Sequence, residues 1–150
     1  MTATPVPTPS DVAEQVRRMV AGEGVVFADL FAVDGVLEHP FALPGQPARL
    51  VGRDAIGGFF ANASAARSLF RMEQVTATVY QTDDPEVVIT QINHNGTSAL
   101  TDQPYDFHAL GIIRVRDGHI VHYQDYMDPI ATVRLLGRSR DLADAIKADS

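Results

Sequence analysis

The chain has 150 residues, 45% of them hydrophobic and 21% charged, which suits one globular domain with one core and leaves little sequence for extended disorder. Twelve Lys and Arg against nineteen Asp and Glu give a formal charge of -7, and the densest basic spots, Arg17-Arg18 and Arg138-Ser139-Arg140, are too sparse for a nucleic-acid surface. With no cysteine, a disulfide framework, a thiolate nucleophile and a cysteine-ligated metal are all excluded.

Residues 1–9 are rich in Pro and Thr, lack the basic and apolar regions of a secretion signal, and read as a disordered leader. No apolar run approaches the roughly eighteen residues a spanning helix needs, so the expectation is a cytoplasmic protein without membrane contact. Ser10 suits an N-cap and Asp11 the first turn of a helix whose apolar positions, Val12, Val16, Met19 and Val20, run to the Gly22-Glu23-Gly24 break. Val25 to Phe31 predicts a short apolar helical turn, and Val33-Asp34-Gly35 leads into an extended Val36-Leu37-Glu38-His39-Pro40-Phe41 that the proline closes. After a Pro44-Gly45-Gln46-Pro47 loop, Gly52-Arg53-Asp54 opens a third helix carrying Ile56, Phe59 and Phe60.

From Leu69 the period changes to two. Met72–Thr82, Glu86–Asn95, Tyr105–Arg116 and His119–Met127 are expected as successive antiparallel strands. Asp83-Asp84-Pro85 and Asp117-Gly118 make tight turns, and Gly96 to Pro104 makes a longer connection. Ile130 to Leu136 is expected near the sheet end, and residues 138–150 as a polar tail in which Leu142 to Ala148 suits either a terminal helix or no regular structure. Helices followed by a strand meander predict an α+β domain over residues 10–137: three N-terminal helices packed in the concavity of a curved, mostly antiparallel sheet, a cone-shaped barrel around an apolar pocket.

Strand parity selects the residues that meet inside. In the last strand Val121, Tyr123, Asp125 and Met127 share one face, and Ile120, His122, Gln124 and Tyr126 the other. On an apolar face Asp125 is desolvated, which raises its pKa and makes it a proton acceptor or donor near neutrality. On the solvent face, or bonded to backbone N–H groups at the strand end, it has no such role, and parity alone leaves both open. His39 is held by Pro40 and can be aimed as a base or proton shuttle, although a His among apolar neighbours is more often structural. Glu38 points the opposite way. His94, where a strand runs into Asn95-Gly96, is placed to reach the pocket mouth.

No metal and no cofactor is expected. His119 and His122 fall on opposite strand faces, and six residues of strand hold His119 roughly 20 Å from Asp125, so with His108 they do not converge as ligands. The serines lie in no Gly-x-Ser-x-Gly context, and Gly57-Gly58 falls inside the third helix, where close packing explains it better than a phosphate does.

Four stretches carry a family resemblance over roughly residues 10 to 137. They are Val36-Leu37-Glu38-His39-Pro40 followed by Gly52-Arg53-Asp54-Ala55-Ile56; Asn93-His94-Asn95-Gly96; Arg116-Asp117-Gly118-His119-Ile120-Val121; and Gln124-Asp125-Tyr126-Met127-Asp128 with Leu135-Leu136-Gly137. In order and spacing the chain resembles the SnoaL-like branch of the nuclear transport factor 2-like, or ketosteroid-isomerase-like, superfamily. Gln81-Thr82-Asp83-Asp84-Pro85 and Asp125-Tyr126-Met127-Asp128 look most like the phenazine-biosynthesis A/B proteins. The resemblance implies Asp125 as acid or base. It also exposes departures: His39 stands where ketosteroid isomerases carry a carboxylate base, and Gly111 falls near their oxyanion-stabilising acid, which speaks against steroid isomerisation in its usual form. An epoxide-hydrolase activity lacks its expected Asp-Arg-Asp arrangement, since the candidate strand offers Arg114 and no inward Asp partner.

The combined expectation is a cofactor-independent cyclase or isomerase of an apolar, polyketide-like secondary metabolite, of the kind made in antibiotic biosynthesis. Asp125 and His39 act as acid and base, and His94, Tyr123, Phe41 and Phe59 contact the substrate. The alternatives are a non-catalytic module that binds a small molecule or a protein on the same fold, and an epoxide hydrolase. A homodimer is expected through the outer sheet face, which offers Tyr126, Ile120, Leu110 and Ile112.

Overall fold

The protein's structure, a computed structural model, describes residues 4–149, with the backbone alone for residues 64–66. Helix α1 spans Pro9–Val20. Its cap is Thr8 and not Ser10: Thr8 Oγ1 accepts the Asp11 N–H at 3.1 Å, while the Thr8 N–H donates to Asp11 Oδ2 at 2.9 Å. The frame starting at Thr8 wins because it puts Pro9 at the first helical position, where a missing N–H is harmless, and Asp11 three residues past the cap, where it can reciprocate. Val12, Ala13 and Val16 make the buried stripe of this helix.

A 3-10 turn, Phe27–Leu30, feeds strand β1 (Phe31–Glu38), and a short strand β2 (Arg49–Val51) precedes helix α2 (Arg53–Ala63). The long strands follow as β3 (Phe70–Gln81), β4 (Val87–Ser98), β5 (Pro104–Arg116) and β6 (His119–Met127). Helices α3 (Pro129–Leu135) and α4 (Ser139–Ala148) end the chain, the former capped by Asp128, whose Oδ1 accepts the Ala131 N–H at 3.0 Å. No helix among the described residues is long and apolar enough to cross a membrane.

The six strands form one sheet in the order β2-β1-β6-β5-β4-β3. All pairings are antiparallel except β1 with β6, which run parallel with Leu37 beside Tyr123 and Glu38 beside Gln124. That pairing sets the end of the first strand next to the end of the last, so residues 86 positions apart in sequence, His39 and Asp125, come to neighbouring places. Strand β2 carries too few residues to show a period. It exists through its ladder to Val36–Glu38.

Two local features depart from simple alternation. Between Arg114 and Val115 the register against β6 shifts, pairing Arg114 with His122 but Val115 with Ile120, so Val121 is the extra residue of a bulge. Ile120 is therefore fully buried with Tyr123, and the outer-face position expected for it is corrected. The second departure is at Gly96, which continues β4 where a connection was expected. A Cβ there would lie 1.9 Å from the Arg71 carbonyl oxygen, beside the register shift between Met72 and Gln74, so the glycine permits close strand approach. The hairpin at Asp117-Gly118 has positive φ at both residues, 53° and 80°, as a two-residue turn matching the sheet twist requires.

The core lies between the inward sheet face and α1, the 3-10 turn and α2. It is built on Val16, Phe27, Phe31, Leu37, Ile56, Ile113 and Ile120, each contributing about 1.5–3 kcal/mol of burial. Phe27 is its hub, edge-on to Phe31 at 5.0 Å, Phe60 at 4.9 Å and Tyr123 at 5.5 Å.

Candidate active site

His39 follows β1 on the inward phase set by Leu37 and is 3% exposed. Its N–H donates to the Ala48 carbonyl at 2.8 Å, and ring Nδ1 lies 3.3 Å from the Pro47 carbonyl oxygen. A carbonyl only accepts, so Nδ1 carries the hydrogen and Nε2 of the neutral ring keeps its lone pair. Burial lowers the His39 pKa below its ordinary value of 6.5, more than the Pro47 contact raises it.

Nε2 faces Asp125 Oδ2 at 4.0 Å. Asp125 sits on the inward phase of β6, two residues past Tyr123, with its side chain 16% exposed. Burial alone pushes its pKa up from 3.8 to about 7. Burial acts on both groups in the direction that favours the uncharged form, a neutral imidazole beside a carboxyl near half-ionisation at neutral pH. At 4.0 Å the two atoms stand beyond hydrogen-bond distance.

Tyr123 is 4% exposed, and burial and then the Asp125 charge raise its pKa well above 10, so the phenol keeps its proton. Its hydroxyl reaches over Gly111, the β5 partner of Asp125, where a Cβ would meet the phenol oxygen at 2.7 Å. The missing side chain at Gly111 is thus what admits an O–H group from the neighbouring strand. Phe59 of α2 lies near His39, with ring centroids 6.1 Å apart, and connects through Phe60 to Phe27.

The structure brings together His39, Asp125, Tyr123 and Phe59 and leaves the other two residues of the expected site elsewhere. His94 is buried on the same sheet face but four residues along β4 from the Asp125 row, roughly 13 Å. There its ring stacks on Phe107 at 4.8 Å, and Nδ1 contacts the Tyr105 hydroxyl at 3.0 Å. Burial, and then the nearby Arg67 charge, lower its pKa to about 4, so it is neutral. Phe41 is 60% exposed and edge-on to Tyr126 at 5.3 Å. Pro40 ends the strand, the chain turns, and Phe41 goes with the outer face of the sheet, which corrects its expected place in the pocket. Glu38 points outward and bonds His122. Among the described residues no three His, Asp or Glu side chains converge as metal ligands.

One contributor was not foreseen. The Pro47 carbonyl, which sets the His39 tautomer, leaves no mark in a sequence.

The SnoaL-like domain profile matches residues 12–123. The chain belongs to the SnoaL-like family. An uncharacterized PhzA/B-like protein of Pseudomonas aeruginosa is 27% identical over 126 residues, 84% of this chain and 87% of that protein. A Bacillus subtilis crystal structure, provisionally assigned as an isomerase, is 28% identical with a TM-score of 0.72, covering 87% of this chain and 96% of that one. IdmH of Streptomyces antibioticus, provisionally assigned as a polyketide cyclase, shares the fold at 23% identity and a TM-score of 0.61, covering 86% of this chain and 98% of its own. The SnoaL-like match ends at Tyr123, two residues before Asp125.

Proposed function

We propose that this SnoaL-like chain is a cofactor-independent cyclase or isomerase that moves a proton next to a carbonyl of an apolar, polyketide-like compound. The observation behind this reading is the desolvated Asp125 carboxyl, with a pKa of about 7, facing the lone pair of a neutral His39 at 4.0 Å. Asp125 as carboxylate takes a proton from the carbon beside the carbonyl and leaves an enolate. The enolate carbon then attacks a second carbonyl of the same molecule, closing a ring as that carbonyl's π bond breaks and its oxygen takes the proton from Asp125, or else the enolate takes the proton back from Asp125 at another carbon, giving an isomer. His39 Nε2, a neutral acceptor 4.0 Å away, faces the protonated carboxyl between these steps. Its hydrogen bond to Pro47 holds it in the tautomer that leaves Nε2 an acceptor. The names of the Bacillus subtilis and Streptomyces antibioticus structures are in keeping with such chemistry.

The test is hydrogen exchange of apolar cyclic 1,3-diketones in deuterium oxide, followed by NMR. Wild type is expected to accelerate exchange and Asp125→Asn to lose roughly 100-fold or more of that acceleration. Equal exchange by the two proteins overturns the assignment, and diketone binding without exchange makes the chain a binding module.

The same reading includes a homodimer. On the outer face Leu110 and Tyr126 pair across β5 and β6, Phe41 covers Tyr126, and Tyr80, Leu110 and Phe41 are 51%, 38% and 60% exposed. Such a patch is better covered by a second copy than by water. Sedimentation at micromolar concentration should report a dimer that Leu110→Glu dissociates, and a wild-type monomer refutes it.

A further inference from the structure

Strand β1 ends at Glu38, and its ladder to β6 ends with the pair Glu38 and Gln124. His39 and Asp125 stand one residue past that pair, and at 4.0 Å no hydrogen bond joins them. Something other than the ladder therefore fixes their separation. The turn that carries His39 is braced within itself: the His39 N–H donates to the Ala48 carbonyl at 2.8 Å, the Ala42 N–H to the His39 carbonyl at 3.0 Å, and the Leu43 N–H to Gln46 Oε1 at 3.0 Å. None of these bonds crosses to β6. Phe59 ties the imidazole to α2, while Leu43 and Pro44 face Val133, Leu136 and Leu142 across a cavity of about 230 Å³, so the far flank of the turn is loosely packed.

What reaches β6 is a ring on the outer face. Phe41 lies edge-on to Tyr126, with centroids 5.3 Å apart and planes at 77°. Tyr126 is anchored in the sheet by its pairing with Leu110, and its neighbour in sequence is Asp125, pointing the other way. On the opposing segment only Pro40 separates Phe41 from His39, and its ring fixes φ and stiffens the link between them. The contact of His39 with Asp125 inside and that of Phe41 with Tyr126 outside thus straddle one seam, just past the last ladder pair. We propose that Phe41 is a positioning residue whose contact with Tyr126 holds the 39–48 turn against β6 and so keeps His39 at Asp125. The inference rests on the acid–base reading of that pair and adds what sets their separation. Phe41 is largely exposed, so its truncation removes the contact without opening the core.

The test follows the NMR titration midpoints of His39 and Asp125, together with diketone deuterium exchange, in wild type, Phe41→Ala, Phe41→Leu, Phe41→Tyr, Tyr126→Ala and Leu110→Glu. When the turn lifts from β6, water reaches both groups, so Phe41→Ala is expected to raise the His39 midpoint toward 6.5 and lower that of Asp125 from about 7. Its kcat for exchange should fall roughly three- to tenfold, the shift an aromatic pair sustains, with KM unchanged. Phe41→Leu, apolar but without a ring, should show the same shifts, which keeps the comparison open where Phe41→Ala melts below the assay temperature. Phe41→Tyr restores wild-type values. Tyr126→Ala reproduces Phe41→Ala, and combining the two adds nothing, because each removes the same contact. Phe41 variants that lose Tm while both midpoints stay at wild-type values overturn the inference, since the ring then only adds stability. Leu110→Glu, which leaves the two rings in place, should keep both midpoints; shifts equal to those of Phe41→Ala assign the effect to the dimer and overturn it as well. Failure of the acid–base reading shows separately, as equal deuterium exchange by wild type and Asp125→Asn, and leaves the midpoints to decide whether Phe41 positions His39.

Discussion

Replacing Asp125 by Asn should make the protein more stable, and increasingly so as pH rises. Below pH 3.8 the carboxyl is protonated in both the folded and the unfolded chain and contributes no pH dependence. Between 3.8 and about 7 the unfolded chain gives up its proton first, so wild-type stability falls with rising pH; above about 7 both states are ionised and the loss levels off. At about 1.36 kcal/mol per pH unit the full interval amounts to about 4 kcal/mol. Asn cannot ionise, and every other group titrates in both proteins, so the difference between variant and wild type isolates this carboxyl. Urea unfolding at 25 °C from pH 4.5 to 8.5 should show the variant's advantage growing by about 3 kcal/mol and then flattening past neutrality. A difference that stays constant with pH, or a wild type that gains on the variant as pH rises, would refute the desolvated carboxyl and with it the proton-transfer role.

Three further outcomes test the surroundings. Gly111→Ala places a Cβ 2.7 Å from the Tyr123 hydroxyl, and Phe27 and Phe31 keep that ring from swinging away; thermal melts should show a loss of about 1–3 kcal/mol, partly recovered when Tyr123→Phe removes the nearest atom. In a histidine NMR titration His94 should stay neutral until pH approaches about 4 and His39 should titrate below 6.5; a midpoint for His39 above 6.5 contradicts its burial as a neutral ring. Thr8→Ala should cost about 1 kcal/mol through loss of the α1 cap, whereas Ser10→Ala should cost much less, the reverse of what the sequence pattern suggests.

Much of the site was legible because strand parity and the turn residues speak locally. Asp117-Gly118 anchors the β5–β6 hairpin, and counting back from Met127 places Asp125 and Tyr123 on one face, as they are. The count fails at Val121, because a bulge adds one residue without changing composition, and Ile120 moves from the surface into the core. Phe41 failed for a related reason. The extended pattern predicts its face only while the strand lasts, and the strand is over at Glu38. His94 has the right face and the wrong distance, since parity carries no information about how far along a strand a neighbour sits.

What the amino-acid order determined by itself is therefore most of the longer elements, though not the short strand β2: periods of two and near four, breaks at Gly and Pro, and the absence of cysteine and of basic clusters, each expressed within a few residues of chain. Only the tertiary structure decided which groups meet. The parallel pairing of β1 with β6 brings His39 to Asp125 across 86 positions, and the pairing of β5 with β6 lets Gly111 make room for the Tyr123 hydroxyl. The raised pKa of Asp125 belongs to this second level as well. Desolvation depends on what every neighbouring element excludes from the carboxyl, and no local stretch of sequence contains that.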